Sequence, residues 1–148
     1  MLELYQYDLS EIWDQDLDAS GEYGYAMDRF WKEHGSYPYV ALVDGHYAGF
    51  ALVDGKVKLP GDEFWMDQFF VMKKYRRRTI GLQMAEWVIR QHPGNWQIGE
   101  MTGNFVAQAF WRKTIGHIVG RNFEEHVLST GWWQGHVQRF TSQGEHAA

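Results

Sequence analysis

The sequence predicts an α+β fold in which helices cover the faces of a single β-sheet. Two β-rich runs in YPYVALVDGHYAGFALVDG (37–55) flank Asp44-Gly45, a dipeptide that closes tight hairpins. Further on, the order is strand, helix, strand, helix, strand, strand, read from short apolar runs that alternate with 3.6-residue patterns. The 148 residues contain no repeat, low-complexity stretch or dividing linker, and 45% of them are apolar. Residues 1–148 are therefore expected to form one domain with a sizeable core.

Taken in order, LELYQYDL (2–9) alternates apolar and polar residues and predicts a strand. The acidic stretch from Ser10 to Gly21 is expected to be a short helix or loop. EYGYAMDRFWKEHG (22–35) spaces Tyr23, Ala26, Met27, Phe30 and Trp31 as one face of a helix, with Gly35 placed to end it. After the hairpin, a second Asp-Gly at 54–55 ends its second strand, and EFWMDQFFV (63–71) is short enough to be a buried strand. A helix starting near Ile80 turns Leu82, Ala85, Val88 and Ile89 inward and Gln83, Glu86 and Arg90 to water, and His92-Pro93-Gly94 stops it. NWQIGEM (95–101) is a strand, and NFVAQAFWRKTIG (104–116) is a helix whose apolar side carries Phe105, Val106, Ala109 and Phe110. FEEHVLS (123–129) and HVQRFTS (136–142) form a closing strand pair.

The absence of Cys removes disulfides, thiolate metal sites and a Cys nucleophile. No His-Glu-x-x-His spacing occurs among the seven His residues, so no metal is expected. The N-terminus lacks the basic segment of a signal peptide, and no apolar run reaches the ~20 residues of a membrane span, so a cytoplasmic protein without membrane contact is expected. Aromatics make up 17% of the chain and are mostly core. The net charge of −5 is uneven: residues 1–33 hold nine acids against Arg29 and Lys32.

The opposite charge is concentrated in KKYRRRTIG (73–81), where Lys73, Lys74, Arg76, Arg77 and Arg78 lead from a strand into a helix. The first turn of a helix leaves about four N–H groups unpaired and carries roughly half a positive charge. A pyrophosphate fits there, and flanking Arg side chains add charge-assisted hydrogen bonds. The plain alternative is a solvated charge run. A nucleic-acid partner is not expected, because the basic residues form one knot in an acidic chain rather than a broad face. The Gly-x4-Gly-Lys-Ser/Thr order of a Walker loop is absent.

VMKKYRRRTIG (71–81) resembles the acetyl-CoA loop of the GNAT superfamily of N-acetyltransferases, Gln/Arg-x-x-Gly-x-Gly/Ala, with Val71 ten residues before Gly81 and Arg76 in the first position. NFVAQAFW (104–111) resembles the second signature, an Asn followed by Ala and an aromatic pair, and the element order agrees from about Tyr37 to Gly116. The resemblance implies a central mixed, mostly antiparallel sheet with helices on both faces and splayed fourth and fifth strands. It implies acetyl-CoA as co-substrate, with pantetheine along the backbone of Phe70, Val71 and Met72. Arg76, Arg77, Arg78, Thr79, Ile80 and Gly81 would hold the pyrophosphate, and Asn104 would contact pantetheine.

Acetyl transfer needs a neutral amine, and deprotonating a lysine-like amine at pH 7 costs about 4–5 kcal/mol. A general base is therefore expected on the acceptor side, with backbone N–H groups to hold the oxyanion. Asp62, Glu63 and Asp67 are the candidates, with Asp67 first, because its parity matches that of Val71; the plain alternative for each is a solvated loop or sheet-end acid. The resemblance has two departures. Thr79 stands at the penultimate loop Gly, where ordinary negative φ and a capping hydroxyl are expected. Trp111 stands where many members carry a Tyr that protonates the leaving thiolate; water or His117 would replace it. The resulting reading is an N-acetyltransferase acting by direct attack on a primary amine of a cationic small molecule, aminoglycoside-like or polyamine. Alternatives are a protein or aminoacyl-tRNA N-acetyltransferase and a non-catalytic acyl-CoA-binding module. A homodimer stays open.

Overall fold

The computed structural model describes residues 1–25 and 27–144. Ala26, expected on a helix face, and the last four residues of the expected domain lie outside the described residues. β1 (Tyr37–Val43) and β2 (His46–Asp54) are the expected hairpin. Asp44 and Gly45 take φ 50° and 79°, the positive values that a turn matching strand twist requires. With β3 (Phe64–Val71), β4 (Gly94–Met101), β5 (Phe123–Leu128) and β6 (Gly135–Ser142) they form a six-stranded sheet in the order β1-β2-β3-β4-β6-β5. Only β3 and β4 run parallel.

α3 (Ile80–Arg90) and α4 (Phe105–Val119) cover one face. There Ala85, Val88, Ile89, Trp111 and Ile115 pack on Ala51, Val53, Val71, Trp96 and Ile98. α1 (Leu2–Trp13) and the single turn α2 (Arg29–Lys32) belong to the other face, where Phe30, Leu2 and Tyr5 pack on Phe50, Leu52 and Phe70. No helix among the described residues is long and apolar enough to cross a membrane.

Three expected elements differ. The N-terminal strand is the helix α1. Alternation would give Leu4 and Tyr7 a shared role with their neighbours, yet they are 51% and 65% exposed. The helical set Leu2, Tyr5, Leu9 and Trp13 is the less exposed one, and Tyr5 meets Trp13, Phe50 and Phe70 edge-on at 5.5–5.7 Å. The long helix expected over 22–35 shrinks to Arg29–Lys32, because Gly21 and Gly24 take positive φ and leave the preceding chain irregular. In α4 the buried positions are Gln108, Trp111, Thr114 and Ile115, while Phe105 and Val106 are 75% and 85% exposed.

β3 and β4 pair only at Phe64–Trp96 and Trp65–Gln97, then part, although they run on to Val71 and Met101. The fourth and fifth expected strands, between which the resemblance implies a splay, are β3 and β4 here, because the first expected strand is a helix. A second irregularity lies beside it. Leu52 pairs with Gln68 and Val53 with Met66, so Asp67 is bulged out of register.

Candidate active site

The end of β3 leads through a 3-10 turn at Lys73–Tyr75 into the start of α3. Among the described residues, the N–H groups of Arg77, Arg78, Thr79, Ile80, Gly81 and Leu82 donate to nothing, whereas Gln83 N donates to Thr79 O at 2.9 Å. Arg77 and Thr79 both take positive φ, 65° and 60°. Left-handed residues of this kind turn successive N–H groups toward one side and make anion-binding concavities. The expected negative φ of Thr79 is thus corrected. A β-branched residue holds the backbone shape that glycine would take freely, at a strain of about 1–3 kcal/mol. Its hydroxyl caps no N–H and instead accepts a hydrogen bond from Gln83 Nε2 at 3.1 Å. Gly81 has ordinary φ; its role is closeness, since a Cβ there would lie 3.2 Å from the Phe110 ring.

The cations of this loop divide into two groups. Arg76 turns back: its Nε donates to Val71 O at 2.7 Å and its guanidinium pairs with Asp8 of α1 at 2.6 Å. It anchors the loop to β3 and α1. Among the described residues, the side chains of Lys73 and Arg77 have no partner, and those of Lys74 and Arg78 meet only the Tyr75 ring, 5.4 and 5.9 Å away. These four remain available to an anion.

Beyond Trp65 the edge of β3 that faces β4 has no ladder, so Phe70 and Val71 border the gap, with Met72 following. On the α3–α4 side the gap is walled by Phe69, Phe110 and Trp111, with ring centroids 4.9–5.5 Å apart. Asn104 begins α4 and accepts a hydrogen bond from Ala107 N through Oδ1 at 3.3 Å, which leaves its amide NH2 for a ligand. An opening with free backbone edges, a ring of unpaired N–H groups at its mouth and loose cations around them fits a long thioester with a pyrophosphate.

On the opposite face lies Asp67. The bulge reverses the parity of β3, so Asp67 faces α2 and not the side of Val71 as its sequence spacing predicted. Tyr25 Oη donates to Asp67 Oδ2 at 2.8 Å, and Arg29 bridges Asp67 Oδ2 at 3.2 Å and Asp54 Oδ2 at 2.9 Å. Among the described residues, none donates a hydrogen bond to Asp67 Oδ1. Burial, and then the charge of Asp54, raise the Asp67 carboxyl above the ordinary value, against the opposing pull of Tyr25, Arg29 and Lys58. A partly buried carboxylate with one oxygen held and one open is suited to take a proton.

The other acid candidates are engaged elsewhere. Asp62 accepts from Arg139 Nε at 2.8 Å and Gln97 Nε2 at 2.7 Å, which hold its carboxyl below the ordinary value despite some burial. Glu63 sits at the closed end of the β3–β4 pair, where its N–H donates to Asn95 O at 2.9 Å. His117 lies near the C-terminal end of α4 with Nε2 3.3 Å from Glu86, so it does not reach the gap lined by Trp111. Trp111 is buried. Arg29, Asp54 and Tyr25 were not singled out as partners of Asp67, because only folding brings segments 25–42 residues apart together. No group of three or more metal-ligating side chains occurs among the described residues.

Comparison with known proteins fits this architecture. A solved structure of similar fold is the ribosomal-protein-S18-alanine N-acetyltransferase from Escherichia coli, 16% identical over 84% of this chain and 82% of that one, TM-score 0.55. An aminoglycoside 6'-N-acetyltransferase complexed with coenzyme A is 13% identical over 95% and 90%, TM-score 0.57. The aminoglycoside 6'-N-acetyltransferase from Enterococcus faecium is 12% identical over 95% and 90%, TM-score 0.53. Among curated proteins none matches the sequence. The family model described as acetyltransferase (GNAT) family matches residues 2–117, which is most of the chain, and the chain belongs to that family.

Proposed function

We propose that the protein transfers the acetyl group of acetyl-CoA to a primary amine of a cationic small molecule, with Asp67 as the base. The observation that carries this reading is the two-sided gap between β3 and β4. At its mouth lie the unpaired N–H groups of residues 77–82 and the loose cations Lys73, Lys74, Arg77 and Arg78. On the opposite face lies a carboxylate with one open oxygen. Coenzyme A phosphates suit the first and an ammonium suits the second. Asn104 and the unladdered edge of β3 running to Phe70, Val71 and Met72 receive the pantetheine arm, with Val71 O already held by Arg76 Nε and the Met72 N–H by Ala48 O.

In this reading Asp67 Oδ1 takes the proton of the acceptor ammonium, directly or through water, while Tyr25 and Arg29 fix Oδ2. The freed lone pair forms the C–N bond as the C–S bond breaks, the second proton of the nitrogen passes to water as the amide forms, and unladdered N–H groups of β3 receive the carbonyl oxygen. Trp111 donates no proton to the leaving group, since an indole N–H is no useful acid. A thiol of ordinary acidity, pKa about 8.5, leaves as the thiolate without help. The acids of the N-terminal third favour a cationic acceptor. Glu3, Asp8 and Asp18 are used in internal hydrogen bonds, but Glu11, Asp14, Asp16, Glu22 and Glu33 are exposed and have no ion pair among the described residues.

The test is a panel of amines, polycationic, monocationic, neutral and acidic, incubated with acetyl-CoA and read by free-thiol release. Release with polycationic amines is expected; release confined to neutral or acidic amines contradicts the reading. Asp67→Asn should then reduce kcat/KM more at pH 7 than at pH 9, where part of the amine is already neutral. An equal loss at both pH values assigns Asp67 a structural role.

A further inference from the structure

The acceptor face carries a second feature two residues along β3 from Asp67. The ammonium of Lys58 sits 4.0 Å from the ring centroid of Trp65, 5.2 Å from that of Trp132 and 6.0 Å from that of Trp133. Three indoles around one cation form an aromatic cage, the arrangement that recognises alkylammonium groups through the negative faces of the rings. Trp65 and Trp133 stand edge to face at 86° with centroids 5.6 Å apart.

Two glycines make room for this cage. A Cβ on Gly99 of β4 would lie 2.4 Å from Trp65 and 2.8 Å from Trp133, and one on Gly135, besides meeting Glu100 O at 2.1 Å, would lie 2.9 Å from Trp133. The rings therefore rest on bare backbone across the splayed part of the β3–β4 gap. The floor is tied down by Gln97, which is fully buried. Its Oε1 accepts from Lys58 N and Leu59 N at 2.9 and 3.0 Å, and its Nε2 donates to Leu59 O at 2.7 Å.

Two observations point to a ligand. Trp132 is 88% exposed, so its indole gains almost nothing from packing, and the group facing its ring is a cation. Lys58 fits its place poorly: burial lowers its hold on the proton despite the charges of Asp54 and Asp67, and among the described residues its ammonium makes one hydrogen bond, to Lys56 O at 3.0 Å.

We propose that the Trp65–Trp132–Trp133 cage is the acceptor's ammonium subsite and that Lys58 occupies it as an internal stand-in. This rests on the transferase reading and adds to it. The acceptor carries at least two amines, one held charged in the cage and one presented neutral beside Asp67. Lys58 competes with the first and leaves when the acceptor binds.

The probe is tetramethylammonium chloride, a cation that cannot be acetylated. It is titrated into the whole protein against sodium chloride of equal ionic strength, and the tryptophan indole N–H resonances are followed by NMR. In Lys58→Met the resonances of Trp65, Trp132 and Trp133 should shift saturably, and wild type should bind at least tenfold more weakly because its cage is filled. Trp132→Ala added to Lys58→Met should weaken binding about two- to fivefold, the share of one exposed ring. Lys58→Gln is the second variant if Lys58→Met proves unfolded.

Absence of saturable shifts in a folded Lys58 variant overturns the assignment, as does binding equal to that of wild type. The amine panel separates this inference from the reading it rests on. Cation binding in the cage with no acetyl transfer to any cationic amine sinks the transferase reading alone. Transfer to a diamine whose KM is untouched by Lys58→Met and Trp132→Ala sinks the cage alone.

Discussion

Replacing Thr79 by Gly tests whether the proposed phosphate cradle is held under strain. Thr79 takes φ 60° and ψ 2° immediately before α3. The left-handed region costs an ordinary residue about 1–2 kcal/mol, and β-branching places Thr toward the upper end. Against this relief stand two losses. The Gln83–Thr79 side-chain hydrogen bond is exposed and contributes roughly 0.5 kcal/mol. Glycine adds freedom to the unfolded chain, about 0.4–1 kcal/mol. The balance is a gain of about 0.5 kcal/mol, or a Tm rise of roughly 1–2 °C for a domain of this size. Thr79→Ala keeps the positive φ and loses the hydroxyl, so it should unfold at or slightly below the wild-type temperature. Because the backbone already has the shape that exposes the amides, coenzyme A affinity of Thr79→Gly should stay within about 1 kcal/mol of the parent. Calorimetry measures both quantities. A Tm for Thr79→Gly below that of Thr79→Ala would refute the strain, and a hundredfold gain in affinity would show that the Thr side chain obstructs the cradle.

The two kinds of loop arginine should behave differently. Arg78→Ala is expected to weaken coenzyme A binding about three- to tenfold and flatten its salt dependence, with Tm unchanged. Arg76→Ala should lower Tm through loss of the Asp8 and Val71 contacts and keep the salt dependence; the reverse pattern contradicts the division. Glu100 of β4 gives a pH signature. It is 3% exposed, and burial, with Glu125 adding, raises its carboxyl to about 8 against the Gln138 hydrogen bond. Among the described residues its Oε2 and Gln138 Oε1 both lack partners, while Gln138 Nε2 donates to Glu100 Oε1 at 2.8 Å; a proton on Oε2 lets the two side chains pair twice. The folded protein thus keeps a proton that the unfolded chain, with its ordinary value of 4.5, releases. Stability from this group is full below that value and is lost as pH rises through about 8. Glu100→Gln should therefore gain on wild type between pH 5 and pH 8 by at least about 1 kcal/mol in thermal unfolding, and a gap that does not change with pH would show Glu100 charged throughout.

The hairpin, α3 and the closing strand pair were legible because their signals are local. Asp44-Gly45 sets the turn, and the 3.6-residue spacing of Ala85, Val88 and Ile89 sets the helix face. α1 was not, because Leu2, Leu4, Tyr5, Tyr7 and Leu9 satisfy a period of two nearly as well as a helical one, and only the docking of Tyr5 on Phe50 and Phe70 decides. The buried face of α4 was hidden because Gln108 and Thr114 read as polar. Gln108 is buried with its amide toward Met101 O, 3.4 Å away. The loop 73–81 could be read as an anion cradle from charge and position, but its backbone could not. Thr at a glycine position argued for a different φ, and the fold imposes the glycine-like one. The setting of Asp67 depended on a bulge that the alternation of EFWMDQFFV does not show, and the indole cage joins Lys58 and Trp65 to Trp132 and Trp133, which lie far along the sequence just before β6.

A crystal structure of the protein with coenzyme A bears most directly on the central claim that the splayed β3–β4 gap is the acetyl-donor site. The account expects the pyrophosphate oxygens within hydrogen-bonding distance of the N–H groups of residues 77–82, with Thr79 still at positive φ. It also expects the pantetheine arm between Phe70, Val71 and the start of α4, and the thiol opening toward the face of Asp67. Coenzyme A bound anywhere else, or a pyrophosphate that leaves the N–H groups of residues 77–82 unbonded, would contradict it.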